Sequence, residues 1–258
     1  MPESRLSVPD IAAALGALAP CFDVDVLAEC DSTNARLLTR AEAGAPSGTV
    51  VVAERQIAGR GRMGRAWYSD HGASLTFSLL WRLPPGTALG GLSLAVGVAV
   101  AEALRDLGVT QVALKWPNDI LSNGRKLGGI LIELVSGSAT AAVIGIGLNV
   151  RMPSGLPDEV RQSAAALECD LDRNALLARL LAALHGVLHD FASGGFAGIS
   201  QRWLALNAHA GAMVRIVAAF VPPVDGRCLG IDNDGALLLE TANGVQRIIS
   251  GDVSLRAA

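Results

Sequence analysis

Cysteine is scarce in this chain of 258 residues, and its placement excludes two kinds of protein. The four cysteines are Cys21, Cys30, Cys169 and Cys228. Their spacing contains no close pair, so the sequence indicates neither a zinc site nor a disulfide framework, and we expect a reducing, cytoplasmic location. We interpret Cys21 and Cys30 as small buried apolar groups.

The chain also lacks a large net charge and any hydrophobic run long enough to span a membrane. With 21 basic and 24 acidic residues, the net charge of -3 gives no general attraction to nucleic acid or to an anionic membrane. No secretory signal opens the chain, and the longest uncharged apolar run, Thr87 to Ala101, is too short to span a bilayer. We therefore expect no membrane partner, and we interpret Thr87 to Leu107 as a buried helix.

The common catalytic signatures are missing as well. No G-x-x-x-x-G-K-[ST] phosphate loop occurs, and Gly91-Leu92-Ser93-Leu94-Ala95 departs from the hydrolase elbow at its last position. His185 and His189 have the i, i+4 spacing of zinc ligands but have no third ligand beside them. Neither covalent catalysis nor a zinc centre is expected.

What the sequence does contain is an unusual loop, Gly59-Arg60-Gly61-Arg62-Met63-Gly64-Arg65-Ala66-Trp67. Glycine lets backbone N–H groups approach a ligand closely, and arginine offers planar charged groups suited to carboxylate and phosphate. Its glycines also fit the dinucleotide pattern G-x-G-x-x-G, but that pattern must open a helix, and the alternating run Leu75 to Trp81 predicts a strand. An arginine-rich solvated loop is the other alternative, although it would not need Trp67. The loop is best interpreted as an anion-binding loop.

A second polar stretch, Lys115-Trp116-Pro117-Asn118-Asp119, follows an apolar strand that begins at Val112. Proline cannot donate to a sheet ladder, so Pro117 should end the strand and leave the polar side chains at its edge. A simple turn at Asn118-Asp119 is the alternative. Lys126 follows the tight turn Asn123-Gly124 and is a further polar candidate.

The remaining pattern predicts an α+β protein in two parts. Strands are expected at Val24 to Ala28, Thr49 to Glu54, Ile130 to Val135 and Ala142 to Val150, and helices from Asp31 to Glu42 and after an Asp172 N-cap. The glycines Gly145 and Gly147 inside a strand indicate close approach of a ligand or backbone. From Gly211 the pattern changes to short strands and turns, which predicts a small antiparallel barrel. We predict domains at 1–209 and 210–258.

Six of these stretches together resemble biotin protein ligases. They are Asp31 to Asn34, Gly59 to Trp67, Lys115 to Asp119, Arg125 to Gly129, Gly145 to Asn149 and Gly251 to Arg256, and they occur in the same order along nearly the whole chain. The resemblance implies a mixed-sheet catalytic domain like that of class II aminoacyl-tRNA synthetases, with helices packed on it, and a C-terminal SH3-like β-barrel. It implies an ATP-dependent ligase that forms biotinyl-5'-AMP and pyrophosphate, and then biotinylates a lysine of the biotin carboxyl carrier protein, a subunit of acetyl-CoA carboxylase.

The resemblance also implies roles for residues, and the sets overlap. The residues implied in catalysis are Arg60, Arg62, Lys115, Lys126 and Asp119. Those implied in biotin binding are Ser32, Thr33, Asn34, Gln56, Gly59, Arg60, Gly61, Arg62, Lys126 and Gly129. Those implied in ATP or adenylate binding are Arg62, Arg65, Trp67, Lys115, Asn118, Asn149 and Arg256. Asp119 is the implied anchor for Mg²⁺.

Two departures from the family pattern and three rival functions accompany this interpretation. Only about thirty residues precede Asp31, too few for the winged-helix domain of bifunctional members, so we expect a monofunctional form without DNA binding. Met63 stands where relatives usually have a basic residue, which bears on retention of the adenylate and on a homodimer, whose formation the resemblance allows. The rivals are a lipoate or octanoate ligase or transferase of the same fold, a catalytically silent biotin-binding module, and a DNA-binding repressor.

Overall fold

A seven-stranded mixed sheet forms the body of the protein. The computed structural model describes residues 5–137, 140–168, 171–218, 221–249 and 253–257. The strands of this sheet are β1 (Asp23–Cys30), β2 (Thr49–Gln56), β3 (Ser74–Arg82), β4 (Val112–Lys115), β5 (Asp119–Ser122), β6 (Arg125–Leu134) and β7 (Ala141–Asn149). Their order is β1-β2-β3-β7-β6-β5-β4, with β1 and β2 parallel and the other neighbours antiparallel.

Helices cover the two faces of this sheet unequally. They are α1 (Val8–Leu15), α2 (Thr33–Glu42), α3 (Leu92–Asp106), α4 (Asp158–Ser163), α5 (Arg173–Gly194) and α6 (Ser200–Leu204). The main hydrophobic core joins α1, α3 and α5 to one face, whereas α2 packs on the other face through a small cluster that includes Leu37, Val51 and Leu80. Much of the second face is therefore left free of helices.

Successive side chains of a strand point to opposite faces of the sheet, so the sequence of each strand determines which residues lie on each face. In β3, Leu75, Phe77 and Leu79 enter the main core, so the small polar residues between them face the other way. In β7, Gly145 and Gly147 alternate in the same way with large core residues. The second face consequently has a shallow floor of small residues, which leaves room for a ligand.

Several sequence-based elements need correction. The strand expected from Ile130 begins earlier, at Arg125, because the preceding residues pair with β5. The helix expected from Thr87 begins at Leu92, because Thr87 N–H is bonded to Pro84 in a turn and Gly91 has a left-handed φ of 74°. The strand β5 was missed because it is only four residues long and pairs back immediately on β4. The helix α4 was also missed. Cys30 is buried as expected, but Cys21 is exposed, so its interpretation as a buried group was wrong.

The long helix α5 is a core helix. By length and composition alone it could cross a membrane. Its apolar face is nevertheless buried in the main core, where it packs against α1 and α3. It begins as predicted at Asp172, whose side chain accepts a hydrogen bond of 2.9 Å from Asn174 N–H.

The C-terminal part forms a second, five-stranded antiparallel sheet, which confirms the predicted SH3-like unit. Its strands are β8 (Met213–Ala218), β9 (Val221–Ile231), β10 (Leu237–Thr241), β11 (Gly244–Ile248) and β12 (Val253–Ala257), in the order β11-β10-β9-β8-β12. It contacts the large sheet through the Trp116 indole N–H, which donates to Gly235 O at 3.0 Å. The domain boundary at 209/210 stays a prediction.

Candidate active site

A cavity of about 740 Å³ opens on the second face of the large sheet, and we call it the central cavity. It gathers predicted site residues that lie far apart in sequence: Ser32, Thr33, Asn34, Gln56, Arg60, Gly61, Arg62, Arg65, Trp67, Lys115, Asn118, Asp119, Lys126 and Gly129. Gly59 and Asn149 do not line it. The side chain of Arg256 lies outside the described part of the structure.

A network of hydroxyl and amide groups forms one end of the central cavity, beside the start of α2. The backbone N–H of Thr33 donates to Gln56 Oε1 at 2.7 Å, and the Thr33 hydroxyl lies 3.1 Å from the same oxygen. Ser78 Oγ lies 2.8 Å from Thr33 Oγ1 and 2.6 Å from Asn34 Oδ1. All four residues are buried, so this end offers fixed, uncharged hydrogen-bonding groups.

Asn34 ties this network to the sheet rather than pointing freely into the cavity. Its Nδ2 donates to Leu131 O at 3.2 Å and to Glu133 Oε2 at 2.8 Å, while its Oδ1 faces Ser78. Gly145 lies directly beneath the side chain, and any Cβ there would overlap Asn34 Oδ1. The predicted binding residue Asn34 thus shapes the site by positioning its neighbours.

The arginine loop, residues 59–67, folds as a compact hairpin over the cavity. Gly61 N–H donates to Arg65 O at 2.7 Å, and Trp67 N–H donates to Gly59 O at 2.9 Å. A Cβ on Gly59 would lie 2.6 Å from Trp67 O, so this close crossing requires glycine. At its tip Met63 has φ 57°, a left-handed conformation that is uncommon outside glycine. The hairpin presents its arginines to the cavity.

Two of these arginines reach polar partners on other strands. Arg60 Nη2 lies 3.9 Å from Glu133 Oε1, and Arg62 Nη1 donates to Asn118 Oδ1 at 3.3 Å. Asn118 is itself held by its Nδ2, which donates to Ile130 O at 2.8 Å. Glu133 therefore contacts both the arginine loop and Asn34, and it joins the two sides of the cavity.

Lys126 and Asp119 form an ion pair on the opposite wall. Lys126 Nζ lies 2.6 Å from Asp119 Oδ1, with the carboxylate only 21% exposed. A Cβ on Gly129 would lie 3.5 Å from Lys126 Nζ, an ordinary contact distance, so Gly129 is a close neighbour of the ammonium group. Within the described residues, no cluster of three or more carboxylate, histidine or cysteine ligands is found. Asp119 would hold a metal ion only together with groups from a ligand or water.

The Trp67 indole packs against the floor of the cavity at Gly147. A Cβ at position 147 would lie 2.5 Å from Trp67 Cε2, so glycine is required for the indole to rest there. Asn149, two residues further along the strand, is buried and donates to Ala165 O at 2.9 Å. It fixes the segment after α4 and contacts no part of the cavity directly.

Lys115 and His209 occupy the far edge of the cavity, at β4. The segment leading to His209 runs alongside β4: Leu114 N–H donates to Leu206 O at 2.7 Å, and Ala208 N–H donates to Leu114 O at 2.9 Å. Burial lowers the pKa of His209, and the positive charge of Lys115 lowers it further. Sequence reasoning missed His209, as it missed Ser78 and Glu133.

The fold and the matching sequence models define a class of protein ligases. Residues 26–149 match the sequence model described as the biotin/lipoate A/B protein ligase family, and residues 216–256 match that of the biotin protein ligase C-terminal domain.

Individual relatives and solved structures show which family within this class the chain resembles. The chain is 42% identical over 241 residues to the bifunctional ligase/repressor BirA of Escherichia coli, covering 91% of this chain and 74% of that protein. It is 36% identical over 250 residues to the biotin-[acetyl-CoA-carboxylase] ligase of Mycobacterium tuberculosis, covering 93% and 91%. The biotin protein ligase of Aquifex aeolicus in complex with biotin and ATP superposes with a TM-score of 0.81 at 32% identity, covering 92% of this chain and 99% of that one. The chain belongs to the biotin protein ligase family.

Proposed function

We propose that this protein activates biotin with ATP, releasing pyrophosphate, and then transfers the biotinyl group from biotinyl-5'-AMP to a lysine of a biotin carboxyl carrier protein. The observation that carries the proposal is the central cavity, in which an uncharged hydrogen-bonding end faces walls bearing Arg60, Arg62, Lys115 and Lys126. The neutral cyclic urea of biotin, with one carbonyl acceptor and two N–H donors, suits the first feature, and two anionic reactants suit the second. The relatives named as biotin ligases support the same substrate.

The first step needs cations more than it needs a base. A carboxylate oxygen of biotin attacks the α-phosphorus of ATP, a new P–O bond forms, and the bond to the pyrophosphate oxygen breaks. Both reactants are anions, so their repulsion must be offset before the bond can form. Lys126 and the arginine loop line the cavity and would hold the carboxylate and the α-phosphate, and Lys115, which also lines it, would hold the departing phosphates.

The two ends of the cavity would divide the substrates between them. Thr33 and Gln56, with Ser32 beside them, would bind the ureido ring of biotin, because they are the buried neutral donors and acceptors. Trp67 would pack against adenine, since its indole already lies on a glycine floor. The position of Asn118 between Arg62 and β6 supports a role in keeping the loop closed over ATP.

Mg²⁺ would accompany ATP and neutralise phosphate charge, with Asp119 as its protein ligand. In this structure Asp119 is paired with Lys126, so Lys126 would exchange partners from Asp119 to the biotin carboxylate when the substrates bind. That exchange would release the carboxylate for the metal ion.

In the second step, the lysine amine of the carrier attacks the acyl carbon of the adenylate, and AMP leaves. The amine must lose a proton, and Asp119 is our candidate to accept it. The carrier would be the subunit of acetyl-CoA carboxylase, and the reaction would take place in the cytoplasm, in a monomer or a homodimer.

Pyrophosphate exchange into ATP tests the activation step directly. It is run separately with biotin, lipoate and octanoate, and Lys115→Ala is the variant in which exchange should be lost. Exchange that depends on biotin alone supports the proposal. Exchange with lipoate or octanoate would assign the protein to the sister ligases, and no exchange with any acid would indicate a silent binding module.

A further inference from the structure

His209 is held firmly at the edge of the central cavity, although it comes from outside the large sheet. Residues 206–208 pair with β4, and His209 N–H donates to Asn207 Oδ1 at 3.0 Å. This pairing sets His209 close to Lys115 and makes the residue part of the cavity wall. The position is therefore fixed by backbone pairing and does not depend on packing of the imidazole.

The surroundings of the His209 ring indicate which of its two nitrogens can donate a hydrogen bond. His209 Nδ1 is buried, and it has no hydrogen-bond partner within the described residues. A buried N–H without a partner is rarer than an acceptor without one, so the neutral ring should carry its proton on Nε2. With Nδ1 unprotonated, the ring has one donor, Nε2–H, on the edge away from Nδ1.

The sheet order tells which part of a ligand this donor would meet. The network of Thr33 and Gln56 lies beside β2, near one edge of the sheet, whereas Lys115 and His209 lie at β4, the opposite edge. A ligand that spans the cavity from the uncharged end would place its most anionic portion beside Lys115. Imidazole N–H and ammonium groups together suit phosphate oxygens.

We propose that His209 binds the phosphate chain of the nucleotide, donating a hydrogen bond from Nε2–H to an oxygen beyond the α-phosphate, next to Lys115. The proposal rests on the proposed function, because it takes ATP as the nucleotide. It assigns to the segment that leads into the C-terminal sheet a direct part in substrate binding.

The test compares His209→Ala, His209→Gln and His209→Asn by calorimetric titration with ATP, AMP and adenosine. A glutamine amide nitrogen reaches the position of Nε2, whereas that of asparagine matches Nδ1. We expect His209→Ala to weaken ATP binding by about tenfold or more, as for other hydrogen bonds to charged groups. AMP and adenosine should bind within twofold of wild type. His209→Gln should recover most of the lost affinity for ATP and His209→Asn should not.

His71→Ala is the matched control, since His71 is an exposed histidine outside the central cavity. In turnover, His209→Ala should raise the KM for ATP while leaving the KM for biotin within twofold. Equal loss of affinity for ATP and adenosine would reveal a merely structural role and overturn the inference, as would unchanged ATP binding. If wild type binds ATP but forms no biotinyl adenylate, the proposed function fails while the binding comparison still judges His209.

Discussion

Replacing Gly147 with alanine should damage nucleotide binding and spare the fold. Gly147 lies in β7 opposite Thr76 and Gly129, and its missing side chain makes room for Trp67. An added Cβ would lie 2.5 Å from Trp67 Cε2 and 2.6 Å from Cζ2. Because carbon atoms in contact stay about 3.5 to 4.0 Å apart, the indole must move by about 1 Å. Trp67 is in a loop and only partly buried, so it can do so.

The expected loss of ATP affinity follows from the stacking of adenine on the Trp67 indole. Packing a base on an aromatic side chain contributes about 1 to 3 kcal/mol, equivalent to about 5-fold to 150-fold in affinity. A displaced indole keeps part of that contact, so we expect the KM for ATP to rise about tenfold. Alanine is favoured over glycine inside a strand by about 0.5 to 1 kcal/mol, which offsets part of the local strain. The free energy of unfolding should therefore stay within about 1 kcal/mol of wild type.

The assay is biotin-dependent pyrophosphate exchange with ATP and biotin varied in turn, alongside urea unfolding. Gly186→Ala is the control, because a Cβ at that position in α5 meets nothing within 4 Å. It should leave both KM values unchanged. If Gly147→Ala is folded and its KM for ATP lies within twofold of wild type, then Trp67 does not pack on the nucleotide.

Other consequences can be measured on the same protein. Gly145→Ala should overlap Asn34 and raise the KM for biotin by about tenfold, with a smaller change for ATP, as judged by the same exchange assay. Arg173→Met should lower the free energy of unfolding by about 3 to 5 kcal/mol in urea, since it leaves Glu54, paired at 2.7 Å, as an uncompensated buried charge. Adding Glu54→Gln should recover part of that loss, and no recovery would contradict the buried-pair account. Burial, reinforced by Asp31, raises the pKa of the Cys30 thiol to about 11, so Cys30 stays protonated below that pH. In a Cys169→Ser background at pH 8, a thiol reagent should label exposed Cys21 and reach buried Cys30 and Cys228 only after unfolding.

Local chemistry in the sequence was sufficient to identify much of the site. The arginine loop is recognisable in the sequence because glycine and arginine together are unsuited to a hydrophobic core. In the structure this loop lies over the central cavity. The Asp172 cap and the apolar face of α5 were equally readable from local spacing. Glycines alternating with large residues in β7 also indicated the close approach that Asn34 and Trp67 make.

The site residues that sequence reasoning missed are brought into place by long-range contacts. Ser78 reads as an ordinary strand residue, and only the packing of α2 on β3 brings it to Thr33 and Asn34. Glu133 contacts Asn34 and Arg60, which line the cavity, because the alternation of β6 puts it on the same face as Gly129. His209 is positioned by the pairing of its preceding segment with β4, nearly a hundred residues earlier in the chain. Contacts between residues so far apart in the chain cannot be predicted from local residue types or from their spacing.

The most direct test of the central claim is transfer itself, measured by the intact mass of a biotin carboxyl carrier domain incubated with this protein, biotin and ATP. The account predicts that the carrier gains a single biotinyl group, that ATP and biotin are both required, and that replacing the acceptor lysine with arginine abolishes the change. Lys126→Met should remove the activity while leaving the protein folded. A carrier that stays unmodified here, while an established biotin ligase modifies it fully under the same conditions, would contradict the account.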